Sequence, residues 1–451
     1  MVGNMSSKSA VDMTQGNPMK QIFSFTVPLI LGNVFQLTYN TVDTIVVGRF
    51  AGEGALAAVG TCDPVMSLLI LGVSGICVGA SVIMSNFQGA GKYEELKKEL
   101  QTTLNLGMIF ALVVLIGGFA AAGLILKALQ TPDEIMHDST IYLRVIFLGM
   151  PFNCLYNIYA AALRSIGDSR TPVRYLIISS IINMVLDVVF VAGFGWGVVG
   201  AGFATVIAQA ASAVMCVVYV SSHVPVLHFD WKKAAIDREL AKKTVSYGGL
   251  TALQQCCQPI GKLCIQGTVN ALDSVATIAA FNAIGKIEDI GLLPGRSISD
   301  SIMTFVAQND GAGKKERMEK GFRQGIFLEV IAGILVCIVV YLFMNPLMHL
   351  FTADEQIIKE GTSYFAIMAF MYWLPCLANG HQGYFRGVGA MRTVLFGTLT
   401  QITLRVITTM LIVPKIGVVG VGIACLVGWS VQVGWQAPYR FYLGKKKQQE
   451  R

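Results

Sequence analysis

The chain has 451 residues, of which 54% are hydrophobic and 14% are charged, and its net charge is +7. Soluble domains contain about 25% charged residues, so the composition excludes an ordinary soluble protein and indicates a polytopic membrane protein. The ten cysteines show no CxxC spacing, and nearly all lie in apolar runs, where cysteine behaves as a small hydrophobe. We therefore expect neither a zinc site nor a redox pair.

Twelve apolar segments follow one another along the chain, each long enough for a transmembrane helix. None alternates with period two as the strands of a membrane barrel do. The segments span residues 21–47, 57–87, 101–127, 139–162, 173–193, 198–220, 244–269, 275–308, 322–345, 359–384, 393–413 and 418–441. The sequence therefore predicts an all-α polytopic membrane protein with twelve transmembrane helices.

The first segment contains two residues that are unusual at membrane depth. Pro28, near its middle, removes one backbone hydrogen bond and bends the helix. Asp43, toward its end, places a carboxylate where burial costs several kcal/mol. A helix that bends and carries such a charge is typical of a moving part, so we expect a transporter built around it.

Lysine and arginine predict the orientation of the chain. With the N-terminus inside, 25 of the 34 Lys and Arg residues fall in cytoplasmic loops and termini, and five fall in or beside outer loops. This bias is a strong positive-inside signal, and it explains the net charge without a nucleic-acid partner. We expect a multi-pass protein of the cytoplasmic membrane with both termini in the cytoplasm and no cleaved signal peptide.

Three short motifs recur in the same order and indicate that the chain is an internal duplication. The first two recur at one identical offset, and the third recurs at nearly the same offset. The pairs are Gly89–Lys92 with Gly311–Lys314, Arg164–Thr171 with Arg386–Thr393, and Gly197–Gly202 with Gly417–Gly422. Symmetric lobes around a midplane cavity are typical of transporters.

The duplication predicts two pseudo-symmetric six-helix lobes joined through the cytoplasm. The predicted domains are a cytoplasmic tail (1–20), an N-lobe (21–220), a charged cytoplasmic linker (221–243), a C-lobe (244–441) and a basic cytoplasmic tail (442–451).

Several of these landmarks together resemble the multidrug and toxic compound extrusion (MATE) family. They are Pro28, Val42–Thr44 with Gly48, Gly89–Lys92, Arg164–Pro172 and Asn183–Asp187. The resemblance covers about residues 15–442 and is greatest to the bacterial and archaeal branch related to DinF. It implies a V-shaped pair of six-helix lobes, a monomer, and drug export driven by inward sodium or protons.

The same resemblance implies a cation site in the N-lobe. Members of that branch gather four side chains there, and the matching positions here are Asp43, Asn183, Asp187 and Thr205. Asn183 and Asp187 are four residues apart and share one helix face. Carboxylate, amide and hydroxyl oxygens suit Na⁺ and also a proton, since two carboxylates in one dry site do not both ionise cheaply. The alternative is that these residues only join helices through hydrogen bonds.

The resemblance also makes Pro28 a hinge candidate, with a static kink as the alternative. Three further residues, Gln36, Tyr39 and Met66, are candidates for a substrate cavity. Flat rings and flexible methionines suit promiscuous binding of organic cations, although ordinary packing or lipid contact is the favoured explanation for any single one of them.

The C-lobe does not repeat the acidic residues. At the repeat offsets, Lys262 stands in the place of Asp43 and Arg405 in that of Asn183. Buried charges need partners, so we expect the polar cluster of Lys262, Glu288 and Arg405 to neutralise itself by ion pairing, for example Lys262 with Glu288. The alternative is a polar floor for an anionic or zwitterionic group. We do not expect a second cation site in this lobe.

These patterns favour a secondary antiporter, not an enzyme, that exports cationic, amphipathic small molecules in exchange for H⁺ or Na⁺. A flippase for a lipid-linked precursor is the nearest alternative, and the C-lobe cations would favour it. An intramembrane aspartyl hydrolase is disfavoured because its GxGD pattern is missing. The GxxxxGK(S/T) spacing of a Walker motif is missing too, so we do not expect ATP to drive this protein directly. The expected partners are small-molecule substrates and membrane lipids, with no ATPase subunit and no cofactor.

Overall fold

The computed structural model describes residues 10–228, 236–272 and 274–449, and within these ranges the chain is almost entirely helical and contains no β-strand. The helices are α1 (Pro18–Val46), α2 (Glu53–Gly89), α3 (Tyr93–Ala128), α4 (Asp133–Ser165), α5 (Arg170–Asp187), α6 (Gly197–His223), α7 (Arg238–Asn270), α8 (Val275–Gly291), α9 (Leu293–Gly311), α10 (Lys315–His349), α11 (Glu355–Met368), α12 (Trp373–Gly387), α13 (Met391–Ile416) and α14 (Val419–Gln449).

The twelve predicted segments all correspond to helices of the structure, and two of them are broken into pairs. Segment 275–308 is α8 followed by α9, and segment 359–384 is α11 followed by α12, which meet at an angle of 58°. In the described ranges, nine helices are long and apolar enough to span a membrane alone, and the α11–α12 pair forms a tenth. Helices α7, α8 and α9 are shorter or more polar.

The chain divides into two compact units whose boundaries lie inside helices. Unit 1 holds the described residues of 1–12 and 27–252, and unit 2 holds those of 13–26 and 253–451. The first turns of α1 belong to unit 2 because Thr26 is hydrogen-bonded to Ser301 through their hydroxyl groups (2.7 Å). The start of α7 belongs to unit 1 because Thr244 donates a hydrogen bond to Glu99 (2.6 Å). The lobe limits inferred from the sequence stay predictions.

In unit 1, helix α4 lies at the centre and packs against α2, α3 and α6. Glycines allow this close approach, since a Cβ added to Gly107 would collide with Ile158, and one added to Gly118 would collide with Phe147. Small residues at such contacts are expected where lipid removes the hydrophobic drive for helix association.

In unit 2, helix α12 packs directly against α9 and α10. A Cβ added to Gly383 would collide with the carbonyl oxygen of Ser299, and Ser299 in turn donates a hydrogen bond to the carbonyl oxygen of Asn379 (2.7 Å). The backbones of α9 and α12 therefore touch along their length, and this contact positions the side chains that α10 adds between them.

The duplicated motifs adopt the same local structure in both halves. Gly91 and Gly313 have φ of +69° and +70°, and the lysine after each donates its backbone N–H to the carbonyl five residues earlier, at 2.9 Å in both cases. The other motif pairs also place a glycine at positive φ, in Gly167 with Gly389 and in Gly197 with Gly417. The first two motif pairs are thus helix-ending turns that need a residue without a Cβ, and the third lies where one helix gives way to the next.

Candidate functional site

The two N-lobe carboxylates lie where α1 and α5 end. Asp43 is in the last turn of α1, and Asp187 is the last residue of α5. A π-helical turn follows each helix, at Val47–Ala51 and at Val188–Gly193, and the two turns contact each other. Such turns disturb the regular backbone ladder and are frequent at functional sites. They bring the ends of the two helices, and with them the two carboxylates, to one place.

The carboxyl groups of Asp43 and Asp187 are neighbours and interact directly. Asp187 is fully buried, and Asp43 is partly buried. Apart from the interaction between the two carboxyl groups, neither oxygen of Asp187 nor Oδ1 of Asp43 has a hydrogen-bond partner among the described residues. Buried polar atoms are rarely left unpaired, because each such atom has lost its water without gaining a replacement. This pair therefore has the character of a site that a proton or a cation completes.

Asn183 lies one turn before Asp187 on the same face of α5 and is 2% exposed. Neither its amide oxygen nor its amide nitrogen has a hydrogen-bond partner in the described part of the chain. A residue whose role was to join helices would have its amide paired with a neighbouring helix. Its amide oxygen is instead available to bind a cation together with the two carboxylates.

Neither Thr205 nor Pro28 forms a hydrogen bond with this group in the described part of the chain. The Thr205 hydroxyl donates to the carbonyl of Ala201 in its own helix (3.0 Å). Pro28 lies inside α1, two residues after Thr26, where the helix leaves unit 2 and enters unit 1. This position is consistent with a hinge, and it is equally consistent with a fixed bend.

The three cavity candidates differ in their surroundings. Tyr39 is one turn before Asp43 and interacts electrostatically with both Asp43 and Asp187, while its hydroxyl interacts with Gln36. Gln36 is itself exposed. Met66 packs against the hydrophobic core of unit 1, which supports the packing alternative for that residue.

Sequence analysis missed Tyr142, a buried residue of α4 that interacts electrostatically with both carboxylates. The internal repeat carries a signal that could have found it. At the offset of the first two motif pairs, the counterpart of Tyr142 is Tyr364, whose hydroxyl donates a hydrogen bond to Glu288 at 2.6 Å. A tyrosine beside an inward-facing carboxylate thus occurs at the same position in each half.

The C-lobe cluster pairs its charges differently from the expectation. Lys262 lies 3.7 Å from Asp289, and Arg296 lies 3.7 Å from the same carboxylate. The expected pair of Lys262 with Glu288 is wrong, because successive residues of α8 point about 100° apart. Glu288 therefore turns inward while Asp289 faces Lys262.

Glu288 is neutralised inside unit 2 by other groups. It accepts hydrogen bonds from the hydroxyls of Tyr364 (2.6 Å) and Tyr372 (3.1 Å), and it interacts electrostatically with Arg405. Arg405 also stacks over the ring of Trp429 at 5.9 Å. The counterpart of the N-lobe site is thus an internally compensated cluster, which agrees with the expectation of charge pairing in this lobe although the partners differ.

Comparison with known proteins agrees with this architecture. The MatE family model matches residues 28–189 and 251–411, one match in each half. The "Probable multidrug resistance protein YoeA" of Bacillus subtilis (strain 168) is 31% identical over 84% of this chain and 82% of that protein. An "FAD transporter" of Shewanella oneidensis is 27% identical over 79% of this chain and 78% of that protein.

A solved structure described as the outward-facing conformation of a multidrug resistance MATE family transporter is 22% identical and has a TM-score of 0.90. The match covers 98% of this chain and 99% of that chain, which confirms the predicted fold of twelve transmembrane helices in two lobes. The chain is a multi-pass membrane protein and belongs to the MatE family of multidrug-efflux transporters.

Proposed function

We propose that this protein is a secondary antiporter that exports cationic, amphipathic small molecules from the cytoplasm in exchange for inward H⁺ or Na⁺. The observation that carries the proposal is the pair of Asp43, partly buried, and Asp187, fully buried, in which three of the four carboxylate oxygens have no hydrogen-bond donor among the described residues. Two adjacent carboxylates hold negative charge that one cation, whether a coupling ion or an organic substrate, neutralises. Exchange between these two kinds of cation is the elementary step of antiport.

The donor atoms support either coupling ion. A proton shared by Asp43 and Asp187 removes one of two adjacent charges. Na⁺ is a hard cation that binds oxygen ligands, and the carboxylates with the Asn183 amide oxygen supply them. The Thr205 hydroxyl oxygen keeps acceptor capacity beyond the hydrogen bond it donates. No cofactor and no ATPase subunit enter this scheme, and we expect a monomer in the cytoplasmic membrane with both termini in the cytoplasm.

The C-lobe favours this proposal over a lipid-precursor flippase. An anionic or zwitterionic lipid headgroup would need positive charge that is free to receive it. Lys262 and Arg296 share Asp289, and Arg405 lies beside Glu288, so these cations already have anionic partners within unit 2. The N-lobe carboxylates, in contrast, have no cationic partner in the described residues.

Reconstituted transport tests the proposal. The purified full-length protein is placed in proteoliposomes, and ethidium movement is followed by fluorescence under a proton gradient alone and under a sodium gradient alone. We expect dye movement under one of the two gradients, and we expect Asp43→Asn to abolish it at equal reconstitution. Asp289→Asn, which removes an exposed ion-paired carboxylate, is the matched control and should retain transport.

Two outcomes would overturn the proposal. One is the absence of ethidium movement under both gradients, and the other is full transport by Asp43→Asn. A parallel assay with FAD, the substrate in the name of one relative, separates the substrate classes. Transport of FAD and not of ethidium would contradict a cationic substrate.

A further inference from the structure

Unit 2 contains a buried acidic residue, Glu329, that plays no part in the site described above. It lies on α10 and is fully buried. In the described part of the chain, neither of its carboxylate oxygens has a hydrogen-bond partner, and no Lys, Arg or His forms an ion pair with it. Glu288, the inward-facing acidic residue of α8, has two tyrosine partners.

Glu329 is held against the first turns of two half-helices. A Cβ added to Gly295, the third residue of α9, would lie 3.1 Å from Glu329 Oε2 and 3.1 Å from Cys376 Sγ. Cys376 is the fourth residue of α12, and a Cβ added to Gly380 would lie 3.2 Å from Glu329 Cγ. The carboxyl group therefore sits where both broken spans restart.

This position favours a group that changes its charge. The N-terminal end of a helix carries positive partial charge, which stabilises a nearby anion, and discontinuous helices form ion sites in transporters for this reason. Complete burial without a partner stabilises the neutral carboxyl group instead. Because these effects oppose each other, the carboxyl group of Glu329 can exist both ionised and protonated.

The titratable groups that face Glu329 come from two helices. Asp300 of α9 is partly buried and interacts electrostatically with Glu329 and with Arg386. Cys376 of α12 is buried beside it. Asp300 is thus a partly exposed acidic neighbour of the buried carboxyl group.

The repeat shows that helix packing does not require a carboxylate here. At the offset of the first two motif pairs, Gly107 is the unit 1 counterpart of Glu329, and Cys154 is that of Cys376. In unit 1, Gly107 packs directly on Cys154 and Ile158, so the same position closes with apolar atoms alone. Glu329 is an addition particular to unit 2.

We infer that Glu329 is a second cation-loading site, located in unit 2, that takes up and releases a proton during transport. This inference rests on the proposed antiport function and reverses the expectation that the C-lobe has no cation site. A proton fits better than Na⁺, because a sodium ion needs several oxygen ligands, whereas the side-chain atoms that lie with Glu329 Oε2 beside Gly295 are the Cys376 thiol and the Asn379 amide nitrogen.

The first test detects the protonated group directly. The full-length protein in proteoliposomes is treated with dicyclohexylcarbodiimide, which modifies protonated carboxyl groups in apolar surroundings, across a range of pH, and the modified peptides are identified by mass spectrometry. We expect modification at Glu329 that declines as the pH rises. The matched control is Glu288, which should stay unmodified because its carboxylate is engaged by tyrosines and Arg405. No labelling of Glu329, or labelling that does not change with pH, would overturn the inference.

The second test measures transport by Glu329→Gln, which keeps the size of the side chain and removes the titratable proton. We expect a loss of at least about tenfold in proton-driven ethidium transport with equilibrium ethidium binding unchanged. Wild-type transport by this variant would overturn a role in coupling. If the wild-type protein moves no dye under any gradient, the proposed function fails, while the labelling still decides whether Glu329 exchanges a proton. If the variant does not fold, the labelling of the wild-type protein is decisive.

Discussion

At Asn183, a binding role and a structural role predict opposite effects of a substitution on stability and on transport. Its amide is buried, and both polar atoms lack partners among the described residues. An unsatisfied buried polar group costs about 1–3 kcal/mol, so the native side chain lowers the free energy of unfolding unless a ligand engages it. This is the behaviour expected of a residue kept for binding.

Replacing Asn183 with leucine should therefore leave the protein as stable or more stable while reducing gradient-driven ethidium transport by about tenfold or more. Thermal unfolding in detergent and transport in proteoliposomes give the two measurements. Asn157→Leu is the control, because the Asn157 amide donates to the carbonyl of Asn153 at 2.8 Å and its loss should destabilise. Reduced stability with normal transport in Asn183→Leu would point to a structural role.

A second prediction concerns the hydroxyl of Tyr142 and its contribution to binding of the coupling ion. It is the buried phenol that interacts with both Asp43 and Asp187. Removing it in Tyr142→Phe should raise the coupling-ion concentration for half-maximal transport by about 2- to 10-fold, because the site loses one polar group beside the two carboxylates. Tyr156→Phe, whose hydroxyl donates to the carbonyl of Pro172 (3.0 Å), should leave that concentration unchanged. The same shift in both variants would contradict a specific role for Tyr142.

At the scale of helices, the repeated turns depend on backbone conformation rather than on packing space. Gly91 and Gly313 have positive φ, and nothing lies within 4 Å of a Cβ added to either residue. Gly123, inside α3, has the same open surroundings but a helical backbone. The three positions therefore differ in conformation and not in the room for a methyl group.

Gly313→Ala and Gly91→Ala should each lower the free energy of unfolding by about 1–2 kcal/mol, because an L-residue is strained at positive φ. Gly123→Ala should raise it by about 0.5–1 kcal/mol, since alanine favours helix. Thermal or denaturant unfolding in detergent measures all three. Equal effects of the three substitutions would contradict the conformational explanation.

Pro28 tests whether the bend of α1 moves. If it does, Pro28→Ala should slow the initial rate of ethidium transport several-fold without changing substrate affinity, because the restored backbone hydrogen bond stiffens the helix. Pro64→Ala, at the proline inside α2, should have a smaller effect. Unchanged kinetics in Pro28→Ala would favour a static kink.

At the scale of the whole molecule, the sequence predicted the number of spans and the duplication, because apolar length and motif spacing are local properties. It also identified Asp43 and Asp187, since a carboxylate in an apolar run is conspicuous. It did not predict that Lys262 faces Asp289 and not Glu288, because that choice depends on which face of α8 turns inward. Glu329 stands in an apolar run as well, in segment 322–345, and sequence analysis passed over it; that its carboxylate has no hydrogen-bond partner is visible only when the neighbouring helices are in place.

The orientation of the chain is a further whole-molecule prediction. The concentration of Lys and Arg in alternate loops places both termini in the cytoplasm. A green fluorescent protein fused after Arg451 should therefore fluoresce, and alkaline phosphatase fused there should be inactive. Alkaline phosphatase fused after Thr352, in the loop that follows α10, should be active. The reverse pattern would invert the transport direction of the proposed cycle.

The helices shared between the two units also determine how the polypeptide can be divided. Residues 253–451 produced alone would lack the stretch 13–26 that completes their unit, including the contact of Ile22 with the surroundings of Gly325. Residues 1–228 alone would lack the start of α7, which closes against Gly79 and Glu99. Each half-polypeptide therefore exposes the surface that the missing stretch would cover, and we expect neither half to be stable unless the other is produced with it.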